Sequence, residues 1–247
     1  MTWSIVARDE ATGQLGVAVA TCAFAVGARV PFVATGVGAI ATQAFVNPFY
    51  GHRGLALLRA GVPAADAVRV LIEADEGRGQ RQVHIMDAKG RIAAHTGADN
   101  VPWCGHLVRE TFSVAGNMLA GPEVIEETAR VFAGGRGLPL ARRFLAALRA
   151  GERVGGDKRG KQSAALLIHD EEEYALLDIR VDDHPDPLAE LARLEEVSRA
   201  RYLHYRKFMP SRANPAGLTD RAEIERRIAE SIAAEQSDTG EADGPAR

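Results

Sequence analysis

The stretch Thr2-Trp3-Ser4-Ile5-Val6-Ala7, the turn-rich Asp9-Glu10-Ala11-Thr12-Gly13-Gln14 and the run Leu15-Gly16-Val17-Ala18-Val19-Ala20 decide the fold class. Two β-prone runs around a Gly-containing connection read as a hairpin. A second pair follows, Arg29 to Thr35 and Val37 to Gln43, separated at Gly36. Val, Ala and Ile stand on consecutive positions in these strands more than they alternate with polar residues. Both faces of the sheet are therefore expected to be covered, which implies a layered fold.

Beyond the Asn47-Pro48 break the spacing turns helical. Leu55, Leu57 and Leu58 close one helix at Gly61, and Pro63 opens a second that carries Ala67, Val68, Val70, Leu71 and Ile72. A third hairpin is read at Gln82 to Asp87 and Arg91 to Thr96, then a short strand from Thr111 to Ala115 ending in Gly116-Asn117. Helices recur at Pro122 to Phe132 and Leu138 to Arg149, and a last strand pair at Ser163 to His169 and Tyr174 to Val181. Helix pairs segregated between hairpins favour an α+β layered sandwich over a doubly wound parallel sheet.

From Asp186 the composition shifts. Leu188, Leu191, Leu194 and Val197 mark a long amphipathic helix to about Lys207, with Asp186 as N-cap and Pro187 in the first turn. A charged helix is expected from about Thr219 to Glu235, and residues 236–247 read as a polar, disordered tail. The expected domains are thus a core over 1–185, a helical extension over 186–235 and the tail.

The 247 residues carry 30 Lys+Arg against 33 Asp+Glu, a formal charge of -3, so no net basic field exists to hold nucleic acid or an anionic membrane. No apolar run reaches the roughly 18 to 20 residues that cross a bilayer, and the N-terminus lacks the basic start of a secretory signal. A cytoplasmic protein is expected. Cys22 and Cys104 form no CxxC pair, which argues against a disulfide framework or a thiolate zinc site.

The first place chemistry could reside is the N-terminus. Met1 precedes the small residue Thr2, a context in which the initiator methionine is commonly removed. The α-amine so exposed has a reference pKa of about 7.7 to 8, close enough to neutrality to accept the proton of its own hydroxyl. Alternatively, Thr2 merely starts a strand.

Six ordered segments, TWSIVARDEATGQLGVAVAT, GVGAIATQAFVNPFYGHRGLALL, HTGADNVPW, AGNMLAGPEV, GGDKRGKQSAALLI and VDDHPDP, resemble the DUF1028 family over about residues 2 to 195. The resemblance implies an N-terminal nucleophile (Ntn) hydrolase-like fold, a four-layer αββα sandwich with the nucleophile at the tip of the first strand. It implies no substrate. By similarity to the wider Ntn class, Thr2 is the nucleophile, Arg29 the basic residue before the third strand, and Thr42-Gln43-Ala44 the region of a backbone oxyanion donor. Asp157 matches the aspartate ahead of a late strand. Arg29 reads equally as a solvated strand-end arginine.

Asn117 ends a strand in Ala115-Gly116-Asn117-Met118-Leu119 and is read either as a side-chain oxyanion donor or as a turn former. Ser4 shares the strand face of Thr2. Gln43, Asn47 and Tyr50 are candidates to line a substrate pocket or simply to brace a loop, and His95 belongs to the HTG motif as a pocket or strand-end residue. Gly155, Gly160 and Lys161 fall at phosphate-loop spacing, but Gln162 stands where Ser/Thr should be and a strand follows. His95, Asp99, Cys104 and His106 are potential zinc ligands at no standard spacing, so no metal is expected.

The expectation is a cofactor-independent hydrolase of a small amide or related C-N bond, with candidate catalytic residues Thr2, Asn117, Asp157 and Arg29. Substrate contacts are expected from Ser4, Gln43, Asn47, Tyr50 and His95. The rival readings are a non-catalytic binding or sensor protein on the same fold, and a metal-dependent hydrolase. The partners expected are a small amide and, through the leucine stripe, a second copy of the chain.

Overall fold

In the computed structural model, which describes residues 2–241, the first strand β1 (Thr2–Arg8) lies inside a six-stranded antiparallel sheet. Its neighbours are β2 (Leu15–Thr21) on one side and β8 (Phe112–Asn117) on the other. β9 (Ser163–His169) and β10 (Leu177–Val181) extend the sheet beyond β2, and β7 (Gly105–Val108) closes it beyond β8. A four-stranded antiparallel sheet runs in the order β3 (Pro31–Ala34), β4 (Gly38–Ala44), β5 (Arg81–Asp87), β6 (Ile92–Thr96).

The expected hairpins are all present, and β9 has the boundaries read from its sequence. Strand β7 was not expected. Its four residues, Gly-His-Leu-Val, alternate between half-buried and exposed positions, as an edge strand does.

Helices α1 (Phe49–Arg59) and α2 (Ala64–Glu73) pack on the four-stranded sheet, whereas α3 (Glu123–Gly134) and α4 (Leu140–Arg153) pack on the six-stranded one. The two sheets face each other, with β1 against β4 and β5, β2 against β3, and β5 against β8.

The parity of β1 shows how the sequence builds these layers. Trp3 faces α4, its indole edge lying beside Gly151, while Val6 joins the apolar cluster of Val17, Val19, Ala39, Ala41 and Met86 between the sheets. Successive residues of a strand point to opposite faces, so Thr2 and Ser4 share the inter-sheet side with Val6. On the helix side Phe112, Phe132 and Phe144 stack in sequence, with ring centroids 4.8 and 5.3 Å apart. On the other outer side Ile40, Val83 and Ile85 bury against Leu58, Ala67 and Leu71 of α1 and α2. Close approach of α1 to its sheet requires Gly51, where a Cβ would lie 2.2 Å from the Phe32 ring.

Residues up to Ala192 form one compact unit and those from Arg193 another. Helix α5 (Pro187–Val197) is capped as expected, with the Asp186 carboxylate accepting from Ala189 N at 3.1 Å. In the second unit a five-residue π-helical segment (Ser198–Tyr202) runs into the short α6 (Leu203–Arg206). There His204 Nδ1 lies 2.9 Å from Ser231 Oγ of α7 (Arg221–Glu241). Helix α7 runs to Glu241, past the start of the tail read from the sequence, and the rest of that tail lies outside the described residues. Among the described residues no helix is long and apolar enough to cross a membrane.

Candidate functional site

Register places two residues beside Thr2. Antiparallel pairing puts Thr21 of β2 and Asn117 of β8 directly opposite it, and the hydroxyls of Thr2 and Thr21 stand 3.1 Å apart. Thr2 is 7% exposed. Asn117 has 2% of its surface exposed, yet it contributes to the wall of a cavity of about 220 Å³ at this end of the sheets.

Backbone hydrogen bonds tie the other walls of that cavity together. Phe45 N donates to Gln80 O (3.2 Å), Asp99 N to Gly79 O (2.8 Å) and Met118 N to Val101 O (3.0 Å). Ala44 and Met118, the residues just after β4's Gln43 and β8's Asn117, have φ of 71° and 55°. Side chains other than glycine rarely adopt that region, and such outliers concentrate where a binding surface is shaped. The positive φ falls on Met118, so Asn117 is not the turn former.

Below the cavity, between the sheets, lies a closed polar network. Ser4 Oγ donates to Gln43 Oε1 (2.6 Å), and Gln43 Nε2 donates to Gln82 Oε1 (2.7 Å), to Thr2 O (3.3 Å) and to Ala115 O (3.2 Å). Gln82 Oε1 also accepts from Asn117 Nδ2 (3.1 Å). The amide nitrogen of Gln82 donates in turn to Thr96 Oγ1, Gly105 O and Gly116 O at 2.9 to 3.0 Å. Gln82 thus holds the Asn117 amide against the end of β8.

His84 completes the network, with Nε2 2.8 Å from Ser4 Oγ and Nδ1 2.7 Å from Ser113 Oγ. Because Ser4 spends its proton on Gln43, the ring must carry hydrogen on Nε2 and accept from Ser113 at Nδ1. Complete burial, reinforced by the charge of nearby His106, pushes the His84 pKa down to about 3. The ring is neutral at physiological pH. Sequence reasoning missed both Gln82 and His84; the signal available was two polar residues two apart on one face of a strand whose remaining interior residues, Val83, Ile85 and Met86, are apolar.

Asp157 lies close to the same strand ends, its carboxylate accepting from Cys22 N (2.9 Å) and Arg159 N (2.8 Å) and pairing with the Arg159 guanidinium (3.3 Å). Cys22 directly follows Thr21, so Asp157 anchors the end of β2. Arg29 precedes β3 as expected; it is exposed and donates to Phe24 O.

Three of the residues read as substrate contacts lie elsewhere. Asn47 and Tyr50 border a separate cavity of about 550 Å³ between α1 and α2. There both donate to Asp75 Oδ2, at 3.1 and 2.9 Å, alongside Arg81 Nε at 3.0 Å. Burial opposes the ionised Asp75 carboxyl, but its hydrogen bonds from Arg81, Gly77, Tyr50 and Asn47 outweigh it and hold the group well below the usual carboxylate range. Burial first, and then the bond to Asp75, push the Tyr50 phenol up. His95 on β6 is bonded through Nε2 to Arg78 O (3.0 Å).

The four residues considered as zinc ligands do not converge. Beside the His95 contact, His106 Nδ1 lies 2.8 Å from Thr96 Oγ1 and Cys104 Sγ points to Asn100 O. Among the described residues no group of three or more His, Cys, Asp or Glu side chains is arranged to hold a metal ion. Lys161 of the phosphate-loop-like stretch is paired with Glu152 and Asp186, each at 3.0 Å.

The model of a family of unknown function, DUF1028, matches residues 2–191. No curated protein matches the chain. Among solved structures, protein SPO2555 from Silicibacter pomeroyi, itself assigned to DUF1028, is 32% identical. It covers 89% of this chain and 96% of its own, with a TM-score of 0.83. Anbu (ancestral beta-subunit) from Yersinia bercovieri aligns over 80% of this chain and 94% of its own at 12% identity and a TM-score of 0.40. With the family model spanning all of the first compact unit but its two ends, this chain belongs to DUF1028.

Proposed function

We propose that the protein is a cofactor-independent hydrolase of a small amide, built as a four-layer αββα sandwich of the Ntn type, with Thr2 as nucleophile once Met1 is removed. The observation that carries this reading is the placement of Thr2. It opens a central strand, with Thr21 on one side and Asn117, a wall of the cavity, on the other.

In the proposed reaction Thr2 Oγ attacks the amide carbon while its proton passes to the α-amine of the same residue. The negative charge that develops on the carbonyl oxygen is met by the Asn117 amide, which Gln82 fixes in place. The C-N bond then breaks, the departing nitrogen takes the proton from the α-ammonium, and water attacks the Thr2 ester with the α-amine as base. The acid is released and Thr2 is restored. Asp157, by fixing the end of β2 beside Thr21, keeps the nucleophile's neighbour in register. Arg29 is assigned an electrostatic part, raising the local positive potential around the amine.

Three measurements test the proposal. The intact mass of purified protein is expected to lack Met1; retention of Met1 on fully active protein refutes it. Against a panel of small amides Thr2→Ala is expected to lose turnover by a factor of about 100 or more while staying folded, and Thr2→Ser to retain part of it. A β-lactone acylating agent should leave one adduct, on Thr2. Full turnover in the alanine variant, or an adduct elsewhere, ends the reading.

A further inference from the structure

We propose that the cavity beside Asn117 is a subsite for the ammonium group of its ligand, with Asp99 as the residue that selects it. The inference rests on the hydrolase reading for what happens to the ligand, but not for how it is held.

The cavity walls contain a single charged residue, Asp99. The remaining lining offers amide groups from Gln80, Asn100 and Asn117 and apolar surface from Phe45 and Val101. The Asp157 carboxylate near the same strand ends has its partners in Cys22 and Arg159, and Asp75 at the separate cavity has Asn47, Tyr50, Gly77 and Arg81. Asp99 is exposed at the rim of the cavity; its carboxylate receives no hydrogen bond or ion pair among the described residues and is left to solvent or a ligand, while its backbone is pinned to Gly79. Lys158, which reaches the same stretch, donates to Pro102 O and is not in the cavity wall.

The carboxylate is also seated. It lies over Gly79, where an added Cβ would come within 2.1 Å of Oδ2, so the glycine leaves the room that the carboxyl occupies. At about 220 Å³ the cavity is below the usual range of drug-sized pockets and suits a compound of amino-acid size. Asn117 stands opposite Thr2 on a neighbouring strand, and neighbouring strands lie about 5 Å apart, so a ligand whose carbonyl accepts from the Asn117 amide is held next to the end of the strand that Thr2 opens. The class of ligand that satisfies these features together is a short primary amide carrying a cationic amine at its other end.

The test uses three probes of one size: 4-aminobutyramide, its uncharged isostere pentanamide, and anionic succinamate. Each is titrated against the whole protein by ligand-observed NMR, in which the same spectra show any hydrolysis of the amide. The ammonium probe is expected to bind about fivefold tighter than pentanamide at low salt, with succinamate weakest, and the preference should shrink as salt is added. Asp99→Asn should bring the ratio close to one while leaving pentanamide binding unchanged, and Asp99→Glu should keep part of the preference. Equal binding of all three, no binding of any, or an undiminished preference in Asp99→Asn overturns the proposal. Binding with the preference but without hydrolysis supports the subsite and counts against the hydrolase; hydrolysis without preference does the reverse.

Discussion

The buried imidazole of His84 makes a quantitative prediction about stability against pH. In the folded protein its pKa is about 3, against 6.5 in an unfolded chain. The folded value is depressed, so as pH falls through 6.5 the unfolded chain takes up a proton that the folded protein refuses. Stability is therefore complete above about pH 7 and declines on acidification, the decline ending near pH 3. Linkage with these two values gives a loss of about 2.5 kcal/mol between pH 7 and pH 4.5. His106, whose pKa is also lowered by burial and by His95, contributes in the same direction, so the wild-type slope alone does not isolate His84. Urea unfolding followed by circular dichroism at both pH values, on wild type and on His84→Gln, does: the glutamine variant should be less stable at pH 7 but lose about 2.5 kcal/mol less on going to pH 4.5. Should that variant fail to fold, long-range ¹H–¹⁵N NMR on the wild type carries the test, because the ring is expected as the neutral Nε2–H tautomer down to at least pH 4. An imidazolium signal above pH 5, or identical pH dependence in the two proteins, refutes the reasoning.

Two further outcomes follow from the packing. Trp3 is 1% exposed and fills the layer between β1 and α4, so Trp3→Ala should cost about 3 to 5 kcal/mol and lower the thermal midpoint by roughly 10 °C, whereas Phe45→Ala, at a residue 68% exposed, should leave it nearly unchanged; equal midpoints for the two variants would contradict the layer assignment. Ala44→Gly relieves a φ of 71° by about 1 kcal/mol and so offsets the usual loss of chain entropy, leaving urea stability within about 0.5 kcal/mol of wild type, while Ala41→Gly in the interior of the same strand should lose more than 1 kcal/mol; equal losses would show that Ala44 is not strained.

The hairpins were legible because Val, Ala and Ile run uninterrupted through strands covered on both faces, and Gly36 and Gly90 mark their turns. Strand β7 was not, because Gly105 and His106 carry little strand preference and the element exists through its pairing with β8. The same limit applies to the site. Gln43 was grouped with Asn47 and Tyr50 by nearness in the chain, yet β4 continues one residue beyond Gln43 and then turns into α1, which sends Asn47 and Tyr50 to Asp75. Gln43 finds its partner 39 residues away because β4 and β5 pair with Gln43 opposite Gln82. Register of that kind is set by the whole sheet and is invisible in a local window. What a local window does show is that Ser4, Gln43, Gln82, His84 and Ser113 are polar residues inside strands that otherwise bury apolar side chains. Each alone would be costly to bury, and together they are satisfied only if the two sheets face each other at this end. The network's last donor before the cavity is Asn117, so the arrangement that satisfies the buried polar groups also fixes the one side-chain amide that reaches from the inter-sheet layer into the cavity wall beside Thr2.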